Sequence, residues 1–425
     1  MINTQSLEAV ASTRLDSHIG KPLYDSYSFA QIPQTIYHLL TGAGKMGLPS
    51  SVLGDLPDKY DKIILLFVDA FGWRFFQQYL EDLQFLKRFQ REGVASQITT
   101  QFPSTTAAHV ATIHSGLPVG ETGIYEWYYY EPLLDNIISP LLFSFAGDRE
   151  RDTLKKTGVS EESLFPTQTI YHQLQDSGIE SYCFQHQAYA FSPFSRVACN
   201  GAKVVPYKTV PEALVNLTEA LLAQREKAYF FIYFDSIDAI AHKYSPNSPQ
   251  FDAEVRTFWL TIERLLHESL VGKIKNTLLL ITADHGQIEV SPQTTIYLNR
   301  LYPKIEKFMK TNRDGNPLVP AGSARDMFLY IKEEYLDEAY DLLSCKLQDR
   351  AKVYPTQTLI DEGYFGGGKP SSALLNRLGN LIILPHKHET VWWYEENRFE
   401  QKLLGHHGGL SREEMETIFL ALPYS

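Results

Sequence analysis

Long apolar runs are missing from this chain. Nowhere in its 425 residues do about 18 apolar residues follow one another, the length a helix needs to cross a bilayer, so no membrane span is expected. Cysteine is scarce: Cys183, Cys199 and Cys345 are odd in number and lack any C-x-x-C spacing, so they read as reduced, packed thiols. The opening stretch "MINTQSLEAVASTRLDSHIG" has no basic segment followed by an apolar one, which predicts no secretory signal and, with the cysteines, a cytoplasmic protein. Basic charge is in deficit, with 39 Lys and Arg against 50 Asp and Glu for a net charge of −11, which argues against a broad nucleic-acid interface. An anionic substrate must therefore be attracted locally. Internal repeats and low-complexity tracts are absent as well, and nothing in the chain indicates an oligomeric state.

What is present is an ordinary globular composition, 44% hydrophobic and 21% charged, in a chain long enough for one large domain with an insertion or for two domains. Three short, nearly continuous apolar runs, "DKIILLFVDAFG", "KAYFFIYFDSID" and "NTLLLITADHGQ", each end in acidic residues. Such runs mark strands buried on both faces. Between them lie helical patterns: "WRFFQQYLEDLQFLKRFQREG", "TIYHQLQDSG", "VPEALVNLTEALLAQREK" and "FDAEVRTFWLTIERLLHESL". Alternation of this kind predicts an α/β fold with a mostly parallel central sheet flanked by helices, whose site lies beyond the carboxyl ends of the strands. From residue 296 to 399 the texture changes to a small α+β unit, read as a cap inserted into a core made of residues 1–295 and 400–425. The tail "LLGHHGGLSREEMETIFLALPYS" is expected to return through a His-rich loop to a last helix.

Single acidic strand ends are weak signals, because loops are generally polar. Histidines strengthen them. In "DAIAHKY", Asp238 and His242 stand four apart, on one face of a helical turn. Asp284 and His285 end a buried run in "TADHG", and His406 and His407 sit in the Gly-rich "LGHHGGLS". With Asp69 these give six carboxylate and imidazole ligands (Asp69, Asp238, His242, Asp284, His285 and His407), a donor set that suits zinc, or manganese or iron. Two metals with three protein ligands apiece can grip both sides of a phosphoryl group.

"ITTQFPSTTAAHVATIHSG", Ile98 to Gly116, brings hydroxyls to a strand-to-helix junction, where backbone N–H groups favour an anion. Ser104, Thr105 or Thr106 is there either an ordinary N-cap or, beside two divalent ions, a nucleophile.

Taken in order, the apolar strand ending in Asp69, the P-x-x-T helix start, D-x-x-x-H-K-Y at Asp238 to Tyr244, A-D-H-G at Ala283 to Gly286 and H-G at His407 and Gly408 resemble the alkaline phosphatase superfamily, and within it the nucleotide pyrophosphatase/phosphodiesterase branch. The resemblance runs from about Asp61 to Leu410. It implies an alkaline phosphatase-like core and a nucleophile three residues after Pro103 and ten before Gly116, which is Thr106. It also implies Asp69, Thr106, Asp284 and His285 on one metal and Asp238, His242 and His407 on the other, with zinc the usual ion. The activity implied is hydrolysis of phosphodiester or nucleotide pyrophosphate bonds through a phosphothreonine, with a small phosphoester or nucleotide as the partner. The chain departs from the branch in the loop after the helix, where an oxyanion-binding Asn is replaced by "GIYEWYYYEP". Tyr125, Trp127 and Tyr128 are the substrate-binding candidates there.

Other members of the superfamily offer alternatives. Sulfatase chemistry is disfavoured by the absence of C-x-P-x-R. A phosphomonoesterase, phosphonate hydrolase or phosphoryl transferase remains an alternative, although no Lys or Arg occurs from Ala107 to Asp148 to clamp a monoester dianion unless the cap supplies Arg325 or Lys369. A non-catalytic, metal-stabilised binding protein is the alternative from outside enzymology. His109 and His114 are read as packed or surface histidines and Asp235 as a residue that orients a ligand. "GGGKPSS" is read as a cap loop, and "WWYEEN" as either a stacking or a packing segment.

Overall fold

The computed structural model describes residues 1–13 and 21–425. Six strands, β1 (Lys62–Val68), β2 (Val94–Thr99), β3 (Glu180–His186), β4 (Lys203–Tyr207), β5 (Ala228–Phe234) and β6 (Thr277–Thr282), precede a second group: β7 (Ala321–Ser323), β8 (Asp326–Leu329), β9 (Ala351–Pro355) and β10 (Leu381–Pro385). The last, β11, is Glu416–Tyr424. The main sheet runs β2-β11-β6-β1-β5-β3-β4, and β11 is its one antiparallel strand.

Why β1 lies at the centre is written in "KIILLFV". Ile63, Leu65 and Phe67 enter one apolar core, Ile64, Leu66 and Val68 the other, and helices cover both faces. β1 pairs in register with β5 and β6, Val68 beside Phe234 and Phe67 beside Thr282, so the three acidic strand ends emerge along one edge. The stretch 73–91 is not one helix but two, Trp73–Leu80 and Gln84–Arg91.

One expectation is corrected outright. The tail does not end in a helix: only Arg412–Met415 is helical, and "ETIFLALPY" is β11, wedged between β6 and β2. Its side chains are buried on both sides, so the run carries no alternation, and periodicity alone does not tell such a segment from a buried helix.

After β6 the chain leaves the main sheet to build the antiparallel sheet β7-β8-β10-β9, covered by the helix Leu336–Leu347 around a third core, and then returns through His406 and His407 to β11. A three-stranded sheet from Tyr129 to Phe145, unforeseen in the sequence, packs beside β7. Among the described residues no helix is long and apolar enough to cross a membrane.

Candidate functional site

Three elements converge beyond the carboxyl edge of the main sheet. The helices are α1 (Thr106–Ser115), α2 (Pro193–Ala198) and α3 (Ser236–Tyr244). Thr105 occupies the N-cap of α1, but its hydroxyl donates to the Tyr125 carbonyl, and Thr106 is the first helical residue. Ser104 donates to the Gly409 carbonyl. Of the three hydroxyls, Thr106 alone faces the acidic edge. It donates to Asp69 Oδ2 at 3.4 Å and lies 3.2 Å from His285 Nε2.

The turn after β1 explains how Asp69 is held. Ala70 sits at φ 61°, a left-handed conformation that costs a non-glycine residue about 1 kcal/mol or more. Its N–H is bound by Asp284 Oδ1 at 3.1 Å, which ties the end of β1 to the end of β6. His285 Nε2 lies 3.5 Å from Asp69 Oδ1 and 3.3 Å from Asp284 Oδ2. On α3, Asp238 Oδ2 and His242 Nε2 are 3.3 Å apart, and His407 Nε2 is 3.8 Å from Asp238 Oδ1. Ligand atoms of Asp69, Asp284 and His285 gather within 4.8 Å, as do those of Asp238, His285 and His407, so His285 stands between the two groups.

All three imidazoles are oriented alike. Nδ1 is spent on a backbone carbonyl, Gly405 at 2.7 Å for His242, Gly286 at 3.1 Å for His285 and Ser104 at 2.9 Å for His407. Nε2 is thereby left without a proton and aimed at the carboxylates, the arrangement by which a metal-binding imidazole is usually fixed.

Electrostatics make the same point. Burial, followed by the charges of Asp284 and Asp238, pushes the Asp69 carboxyl well above its usual range, and burial takes Asp284 to about 7. Burial, then neighbouring imidazoles, holds His285 and His407 well below the ordinary histidine value. Asp69 Oδ1 and Asp284 Oδ2 are buried and have no hydrogen-bond donor. Orphaned carboxylate oxygens opposite unprotonated imidazoles are costly unless a cation satisfies both, so the donor set fits divalent metals.

Several contributors carried no signal in the sequence. Tyr233, the last residue but one of the apolar strand β5, donates its hydroxyl to Asp69 Oδ2, and Gln287 donates to Asp238 Oδ1. His109 pins the start of α1, donating to the Thr105 carbonyl at 2.6 Å and accepting from Gln101 N at 2.9 Å. Asp235 accepts from Tyr189 at 3.2 Å rather than touching a candidate ligand, and His406 Nδ1 accepts from His407 N at 3.0 Å.

Two cavities meet at Thr106, Trp127 and Asp238. The larger, about 450 Å³, reaches the second sheet and is walled by Tyr128, Trp392, Phe399, His242 and His407. The smaller, about 270 Å³, is walled by Asp69, Tyr189, Phe194 and Tyr233. Of the three aromatic candidates, Trp127 borders both cavities and Tyr128 one, whereas Tyr125 is buried away from both with its hydroxyl on the Arg377 carbonyl. Trp392 of "WWYEEN" stacks on Tyr128 at 6.3 Å. Neither Arg325 nor Lys369, the cations the cap could supply, lines either cavity. Arg325 is buried in an ion pair with Glu414, and Lys369 is exposed elsewhere. Arg398 and Lys402 line the larger cavity instead, paired with Glu395 and Glu400.

With that geometry in view, the sequence model of the family described as type I phosphodiesterase / nucleotide pyrophosphatase matches residues 63–410. The chain belongs to this family. Among curated relatives it is 21% identical over 384 residues to rat ectonucleotide pyrophosphatase/phosphodiesterase family member 3, a match covering 86% of this chain and 39% of the relative. It is 23% identical over 260 residues to the venom phosphodiesterase CdcPDE of Crotalus durissus collilineatus, covering 58% and 29%. This phosphodiesterase-family chain thus spans well under half the length of the curated relatives it matches. Murine ectonucleotide pyrophosphatase/phosphodiesterase 5, solved as an inactive threonine-to-alanine variant in complex with AMP, superposes with a TM-score of 0.63 at 19% identity over 85% of this chain and 87% of that one. That likeness establishes the alkaline phosphatase-like fold expected from the motif order.

Proposed function

We propose that this protein hydrolyses phosphodiester or nucleotide pyrophosphate bonds, with Thr106 as the nucleophile. The observation that carries the reading is the Thr106 hydroxyl at the first turn of α1, within 3.4 Å of both Asp69 and His285, where two cavities meet. Asp69, Asp284 and His285, with Thr106, would hold one divalent ion and Asp238, His242 and His407 the other. Zinc is the first choice for such a donor set, with manganese and iron as substitutes. When bound, such a pair supplies Lewis acidity that lowers the hydroxyl pKa and offsets phosphoryl charge.

The chain's own residues do the rest. Thr106 Oγ1 forms the new bond to phosphorus as the leaving oxygen departs into one cavity, and its proton passes to the acidic cluster around Asp69. Unpaired N–H groups of the first turn of α1 face the phosphoryl oxygens. Water then displaces Thr106 from phosphorus, which regenerates the hydroxyl. Tyr233 and Gln287 hold Asp69 and Asp238 in place. Trp127, in the loop that lacks the family's Asn, borders both cavities and offers its indole N–H to an oxygen. A nucleotide suits the aromatic walls, and an AMP-bound neighbour of the same fold supports that choice. Diesters are preferred over monoesters because the cations lining the two cavities are already engaged, Arg398 and Lys402 with carboxylates in the larger and Arg151 with the Leu141 carbonyl in the smaller.

The test compares kcat/KM on a p-nitrophenyl nucleotide ester and on p-nitrophenyl phosphate after zinc or manganese reconstitution. The diester should be preferred, and Thr106→Ala should remain folded and metal-loaded while losing about three orders of magnitude or more. Full activity in that variant removes the nucleophile assignment; binding without turnover by wild-type protein holding two metals makes it a binding protein.

A further inference from the structure

Outside the proposed metal site, one reactive cluster is fully enclosed. Cys183 on β3 and Cys199 at the end of α2 are both buried and both free, with their sulfurs 2.9 Å apart. His114 of α1 stands beside them, its Nδ1 2.7 Å from the Tyr171 hydroxyl. Two readings compete for such a group. A zinc ion holds two thiolates at about 2.3 Å each, which in a tetrahedral site sets the sulfurs nearly 4 Å apart. The observed separation is well below that and closer than two sulfurs pack without bonding, and the further groups beside the cysteines are the phenols of Tyr171, already engaged by His114, and Tyr229.

We infer that Cys183 and Cys199 are the site of a disulfide that clamps the outer wall of the smaller cavity. The segment they bracket supplies five residues of that wall: Gln185, Tyr189, Ser192, Phe194 and Ser195. Cys183 is fixed by the sheet, in register with Val204 and Phe231, whereas Cys199 terminates a helix of only six residues. A covalent tie between them joins the movable end of the wall to the rigid one. The oxidant is a low-molecular-weight disulfide such as oxidised glutathione. One cysteine thiolate attacks it, releasing one thiol and leaving a mixed disulfide; the second cysteine displaces the other half as a second thiol. The protein gives up two hydrogens and the donor takes them. Because both thiols are buried, the exchange takes place while the segment is open, before or during folding. Such a crosslink persists where the surroundings oxidise thiols, which departs from the cytoplasmic location expected from cysteine number and spacing.

The experiment refolds the full chain in a glutathione redox buffer, alkylates it under denaturing conditions and maps the cysteines by mass spectrometry. Cys345, which is exposed, serves as the internal control for alkylation. The expected protein is about 2 Da lighter than the reduced form, alkylated at Cys345 alone, and fully alkylated after reduction. Alkylation of all three cysteines overturns the proposal, as does a bound metal that Cys183→Ser releases while leaving two others in place. This arm does not depend on any activity. The kinetic arm rests on the proposed function: reduction should raise KM for the nucleotide ester at least about threefold with kcat changed less than twofold, by loosening the wall. Cys199→Ser should match the reduced enzyme and ignore redox state. If that variant fails to fold, wild-type protein alkylated at Cys345 and compared with and without reductant decides the question. An unchanged KM across a bond verified by mass removes the clamp.

Discussion

Arg325 joins the second sheet to the loop that carries His407, and replacing it by methionine puts a number on that joint. The guanidinium and Glu414 form a two-bonded pair at 2.9 Å each, 1% and 0% exposed, and Arg325 also donates to the His386 carbonyl at 2.7 Å. Glu414 in turn accepts from Gly409 N at 3.0 Å and Ser411 N at 3.3 Å, which fixes the chain just beyond His407. Arg325→Met leaves a buried carboxylate without its cation, a loss of about 3–5 kcal/mol, and strips the His386 and Glu389 carbonyls of the donor they share for about 1 kcal/mol more. Replacing Glu414 by leucine in the same chain should recover more than half, since a well-packed apolar pair often matches a buried ion pair. Burial pushes the Glu414 carboxyl up, but Arg325 outweighs it and holds the group below the usual range. The wild-type pair therefore stabilises above the unfolded glutamate value near 4.5 and fades as pH falls below it. In the single variant the deficit should grow from pH 5 to pH 7. Urea unfolding of the wild type, the single and the double variant at both pH values is the assay. A single variant within about 1 kcal/mol of wild type at pH 7 would refute the reasoning. Hydrolysis should fall in parallel, because the His407 loop loses its anchor.

Two further outcomes follow from the same region. Burial lowers His109 to about 4 against an ordinary 6.5, so the folded state prefers the neutral ring and stability is lost as pH falls from 6.5 towards 4, by about 3 kcal/mol in all; His109→Gln should flatten that limb of the thermal midpoint against pH, and an unchanged slope counts against it. Gly408 sits at φ 121°, where an added Cβ would stand 2.7 Å from Ser323 Oγ and 2.8 Å from Asp326 Oδ1, so Gly408→Ala should displace His407 and lower bound zinc, read by elemental analysis, even in protein that remains folded.

Much of this molecule was already determined by its linear sequence. Runs such as "KIILLFV" are apolar at every position, so they suit only strands covered on both faces, and the acidic residues ending them must lie at one edge of a parallel sheet. Four-residue spacing put Asp238 and His242 on one side of a turn, and a fixed order of short motifs carried the family. The tertiary structure decided what local pattern leaves degenerate. β11 is a strand because a slot between β6 and β2 accepts an extended chain buried on both sides. Thr106 faces the acidic edge because Thr105 and Ser104 are committed to carbonyls 20 and 305 residues away. Tyr125 is lost to the core while Trp127, two positions on, stands between the cavities. Tyr233, Gln287 and the Arg325–Glu414 pair join elements far apart in the chain, and such partners are set by packing in three dimensions, which no spacing along the sequence encodes.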